Sequence, residues 1–121
     1  MIKETYLGQF KKELQRNQQA KFYFCVRENL DVSFEVGRVE RAISLAPSPE
    51  LLKDYQSRSI NWTEFQRRFL IQMKSPIVRE LLTFILKESQ DRDVYFVCTC
   101  PPREGNHCHK FLLLDLVNNI I

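Results

Sequence analysis

Two stretches of the chain, Lys21 to Arg27 (KFYFCVR) and Val94 to Cys98 (VYFVC), are apolar at almost every position and rich in aromatic and β-branched residues. A strand wetted on one face alternates, whereas a strand covered on both faces reads as a short continuous apolar run. Both stretches are therefore predicted as central strands. Ile2 to Leu7 suits a further short strand, and Gly8 with Lys11 and Lys12 opens a polar connection or short helix that runs to Gln19. Between Glu28 and Ala46 the pattern is mixed: Val32 to Val36 alternates weakly, and Val39 to Leu45 has helical spacing.

The middle of the chain switches to helical spacing. Ser48 followed by Pro49 is an N-cap with proline at the first helical position, and Leu51, Leu52 and Tyr55 form one face of a helix ending near Ser57. Asn61 caps a second helix, with Glu64 three residues on and Ile60 and Phe65 at the positions of a hydrophobic staple. Its Trp62, Phe65, Phe69 and Met73 should point inward, leaving Gln66, Arg67 and Lys74 toward water. Ser75 and Pro76 open a third helix by the same device, carrying Ile77, Leu81, Leu82 and Ile85 inward and ending near Ser89.

Phe111 to Ile121 predicts a last helix with a polar stripe of only Asp115, Asn118 and Asn119. Such a helix is either buried against a sheet or shared with a second copy of the chain, so a homodimer stays open. Helical stretches between apolar strands predict an α/β fold: one domain over residues 1–121, three-layered, with a small, mainly parallel sheet flanked by helices.

Composition narrows the setting. At 121 residues, with 44% hydrophobic and 27% charged positions, the chain has the makeup of one globular domain. No window approaches the roughly 20 apolar residues of a membrane helix and the first residues do not form a secretory leader, so the expected location is the cytoplasm, with no membrane partner. The net charge of +3 permits a nucleic-acid partner through Lys11, Lys12, Arg67, Arg68 and Lys74 without arguing for one. The three glycines are scattered, which excludes a Gly-rich phosphate loop.

The chemistry concentrates after the second central strand, where VYFVCTCPPREGNHCHKFLLL holds three of the four cysteines and both histidines. Strand, loop and helix place Thr99 to Asn106 at the carboxyl end of a strand, where open α/β sheets form their ligand crevices. With Asn106 as N-cap, His107, Cys108 and His109 would occupy the first helical turn, whose amides and dipole favour an anion and a thiolate. Cys108 is then the candidate nucleophile or anion contact and His109 its acid or base, with Lys110, Arg103 and Arg27 as charge partners for an anionic, phosphate-bearing or nucleotide-like ligand. A second reading is a structural zinc site formed by Cys100, His107, Cys108 and His109, since thiolate and imidazole are the usual zinc ligands. Cys25 and Cys98 read as packing residues, and a Cys100–Cys108 disulfide disagrees with a reducing compartment.

Three stretches together, TYLGQFKK, LAPSPELLKDYQSRSINWTEFQRRFL, and VYFVCTC followed by CHK, resemble the domain of unknown function 488 family, whose shorter members include the YeaO-like proteins. The resemblance implies an α/β fold and matches Cys98 to the cysteine ending the late strand, and Cys108 with His109 to the family's Cys-His pair. Lys110 stands where that pair is usually followed by arginine, so a bidentate grip on phosphate is lost at this position. Cys100 and His107 also depart from the pattern.

Overall fold

A computed structural model of the chain describes residues 1–27, 38–99 and 108–119. The described strands are β1 (Ile2–Tyr6), β2 (Lys21–Phe24), β3 (Val39–Arg41) and β4 (Val94–Cys98), joined in one sheet of order β1-β4-β2-β3. Every pairing is parallel, with Phe24 opposite Val97 and Tyr6 opposite Cys98. β2 and β4 are thus the two central strands, and all of their residues are buried. The helices are α1 (Leu7–Arg16), α2 (Pro49–Gln56), α3 (Trp62–Gln72), α4 (Pro76–Glu88) and α5 (His109–Asn118), with a 3-10 turn at Ile43–Leu45.

The pleat divides the core into two layers. Tyr23, Val94 and Phe96 face a cluster supplied by Leu51, Phe65, Phe69, Met73, Leu82, Ile85 and Leu113 from α2 to α5. Phe22, Phe24, Tyr95 and Val97 face the other way and pack with Phe10 of α1. There Phe10 meets Phe22 and Phe24 edge-on at 5.3 and 4.9 Å. The fold is a small all-parallel α/β sheet with helices on both faces.

Local chemistry explains the helix starts. Ser48 Oγ accepts from the Leu51 amide at 3.1 Å and Asn61 Oδ1 from the Glu64 amide at 2.9 Å. Ser75 holds the same position before Pro76 but makes no side-chain cap bond. α4 also turns differently from its expected face: Val78, Leu82 and Ile85 are buried, while Ile77 is 71% exposed. Ile77 sits one position before the i, i+4, i+7 stripe that Val78 begins, and so points to water. Where helical spacing was expected over Val39 to Leu45, the backbone pairs with β2 before tightening into the 3-10 turn, because ladder bonds beside a central strand outweigh a weak local period. The polar stretch after β1 is a full ten-residue helix, α1. The expectation for Val32 to Val36 lies outside the described residues. Among the described residues no helix is long and apolar enough to cross a membrane.

α5 is buried against the sheet and against α3 and α4 through Leu112, Leu113 and Val117. It begins at His109 with Cys108 as N-cap, so Cys108 precedes the helix rather than lying in its first turn. Asn106, the expected cap, lies outside the described residues. This start brings α5 to the carboxyl ends of β2 and β4.

Candidate functional site

β2 and β4 run side by side and in the same direction, so Cys25 to Arg27 and Cys98 to Thr99 leave the sheet together. The Cys25 amide still bonds the Val97 carbonyl at 3.0 Å, which holds the two chain exits in register. A cavity of about 140 Å³ opens beside them, lined by Arg27, Gln56, Cys98, Thr99 and His109 with Cys25, Val26, Ala46, Pro47 and Leu52. Gln72 fixes one wall, its Nε2 donating to the Ala46 carbonyl at 2.7 Å and its Oε1 accepting from the Ser48 amide at 2.9 Å. Arg27 is exposed at the rim, and its Nε donates to the Pro47 carbonyl at 2.9 Å, which orients the guanidinium along that wall.

His109 is 8% exposed, with Nε2 2.7 Å from the Cys25 carbonyl and Nδ1 3.8 Å from Cys108 Sγ. A carbonyl oxygen only accepts, so Nε2 carries a proton, and in the neutral form of the ring Nδ1 is an acceptor facing the thiol. The backbone of one central strand therefore sets the tautomer of a residue on α5. The ring also stands edge-on to Phe69 at 5.7 Å, which restrains it from the helical layer.

Cys108 Sγ lies 3.2 Å from Cys98 Sγ, both residues being buried. Lys110, the residue after His109, is 2% exposed and pairs with Glu4 Oε2 at 2.7 Å, with Nζ also 3.4 Å from the Thr5 carbonyl. Burial pulls the Lys110 pKa down, but the bond to Glu4 and the nearby Cys98 and Cys108 outweigh it and hold the pKa above the ordinary lysine value. Cys25 contrasts with this pair: burial pushes its thiol far above the usual range, so it remains protonated packing.

Cys108, His109, Lys110 and Arg27 thus all gather at the carboxyl end of the sheet, with Cys98, a residue that its apolar strand context assigned to packing. The i to i+10 spacing carries no local signal for that pairing; only the return of α5 onto β4 creates it. Cys98 and His109 line the cavity, while Cys108 touches both from behind. Arg103, Cys100 and His107 lie outside the described residues. Among the described residues no group of three or more His, Cys, Asp or Glu side chains is arranged to hold a metal ion.

A family model described as the active DUF488-N3 subclade, DUF488-N3a, matches residues 37–120. The chain belongs to the DUF488 family. The match takes in β3, the helical middle, β4 and α5; of the site residues named above, Cys25, Val26 and Arg27, which follow β2, and Glu4 and Thr5 of β1 precede it. The TYLGQFKK stretch precedes the matched DUF488 region. No curated protein and no solved structure matches the chain.

Proposed function

We propose that the cavity at the carboxyl ends of β2 and β4 binds the phosphate or similar anionic head of a small molecule, in a cytoplasmic setting where its thiols stay reduced. The observation that carries this reading is the convergence of Arg27 and His109 on one cavity beside Cys98. At about 140 Å³ the cavity is smaller than the roughly 300 Å³ and upward of whole-ligand pockets, so it takes a head group and leaves the rest of the molecule outside. Arg27 supplies the charge at the rim, and His109 places its ring on the cavity wall, where a bound anion changes its surroundings. Cys108 is the thiol whose ionisation this arrangement assists, through His109 Nδ1 as acceptor and the buried charge of Lys110.

Titration with inorganic phosphate and pyrophosphate, followed by the His109 ring resonances and assigned with His109→Asn, tests the reading. The resonances are expected to move saturably, and Arg27→Met to weaken binding about 10- to 100-fold, the worth of one charge-assisted hydrogen bond. Unmoved resonances, or equal binding by Arg27→Met, would refute it.

A further inference from the structure

We infer that Cys98 and Cys108 are a redox couple that a small hydroperoxide oxidises to a disulfide, locking the start of α5 to the end of β4. This goes beyond anion binding and does not depend on it. The sulfurs are 3.2 Å apart, and the covalent bond needs about 2.05 Å, so a shift of roughly 1 Å at a strand end and a helix cap closes the gap. No disulfide joins the described cysteines.

Two features separate this pair from buried cysteines that merely pack. Cys98 lines the cavity, whose volume of about 140 Å³ exceeds the roughly 30 Å³ of a water several-fold and so admits a small peroxide but not a bulky disulfide. Cys108 meets a basic nitrogen, because the Cys25 carbonyl occupies the proton-bearing Nε2 of His109 and leaves Nδ1 toward the sulfur at 3.8 Å. The roles divide accordingly, Cys98 meeting the oxidant and Cys108 resolving the product.

The chemistry balances in two steps. The sulfur of Cys98 attacks one peroxide oxygen, the O–O bond breaks, and the thiol proton leaves with the departing hydroxide as water, giving a sulfenic acid on Cys98. His109 Nδ1 then takes the Cys108 proton, and the resulting thiolate attacks the Cys98 sulfur. The S–S bond forms, the S–O bond breaks, and the hydroxide leaves with the proton held by His109 as a second water. In sum, two thiols are oxidised and one peroxide is reduced.

The experiment is stoichiometric hydrogen peroxide on the full chain, followed by alkylation and peptide mass mapping without reductant. The expected product has lost two hydrogens and joins the peptides of Cys98 and Cys108, and a dithiol reductant restores both thiols. In Cys108→Ser the sulfenic acid should persist and be trapped at Cys98 by dimedone added together with denaturant. His109→Asn should slow the bridging step about tenfold or more without preventing the trapping, as loss of a positioned base does. Bridges from either sulfur to Cys25 or Cys100, or direct over-oxidation with no bridge in the wild type, would overturn the inference, and the wild-type map decides even if a variant fails to fold.

Discussion

The two ends of the sheet differ in how completely their polar groups are paired. At the amino ends of the strands the polar groups saturate one another: Lys21 Nζ lies 3.0 Å from Glu40 and 3.6 Å from Glu88, and Tyr23 donates to Glu88 at 2.6 Å. Asp93 there accepts from Asn17 at 2.8 Å and pairs with Lys3 at 3.3 Å. At the carboxyl ends a cavity remains, a histidine keeps one nitrogen as acceptor, and two thiols face each other. The amino end pairs its polar atoms with one another, whereas the carboxyl end sets them around a cavity. Parallel strands bring this about, since they align all their exits on one side, where loops and helix starts meet.

The sharpest way to break the comparison is at Glu88. Its side chain is 14% exposed and Lys21 is 7% exposed, so Glu88→Ala leaves a buried ammonium with one partner and the Tyr23 hydroxyl with none. Loss of one partner from a buried pair costs about 3 kcal/mol. Urea unfolding should show that loss, while phosphate binding and Cys98–Cys108 bridging remain as in the wild type. Were the remote site to change as well, the two ends would not be separable. Tyr23→Phe removes only the hydroxyl and should cost about 1 kcal/mol in the same assay.

The distinction was partly legible in the sequence. The apolar runs of β2 and β4 showed which strands are central, because a strand buried on both faces has no room for a polar period. The Ser48 and Asn61 starts were readable because a cap is a local bond. Ile77 was not, since a helix of mixed apolar residues leaves its face to the partners it meets. The strand-loop-helix junction before α5 was singled out from the sequence, and Cys108, His109 and Lys110, named there, do lie together at the carboxyl end of the sheet. The Cys98–Cys108 contact and the Cys25 carbonyl that sets the His109 tautomer were illegible, because both depend on where α5 lands on strands far away in sequence.

Lys110 belongs to the carboxyl end yet is built like the amino end, a buried cation paired with a carboxylate. Lys110→Met keeps the length of the stem and leaves Glu4, 35% exposed, able to hydrate, so the cost should be modest at about 1–2 kcal/mol. Its pH dependence is more telling. Because the folded pKa lies above the ordinary lysine value, the stabilisation is complete below that ordinary value and lost as pH rises through the folded one. Unfolding measured against pH should therefore show an alkaline decline that Lys110→Met removes. The same variant should slow peroxide-driven bridging, having lost the charge beside both sulfurs.

The smallest effect is expected at Asp93, and its sign is the reverse. Burial alone would raise its pKa, but hydrogen bonds from Lys3 and Asn17 overcome it and hold the carboxyl below the ordinary aspartate value. Its stabilisation is present above that ordinary value and disappears as pH falls through the folded one. With the side chain 30% exposed, solvent screens much of the pairing, so Asp93→Asn should cost under about 1 kcal/mol at neutral pH and nothing in strong acid. Acid titrations of wild type and variant should converge at low pH, with His109 resonances identical in both at neutral pH. A difference that persisted in acid would mean that Asp93 acts by its shape rather than its charge, and the amino end would then be held by packing.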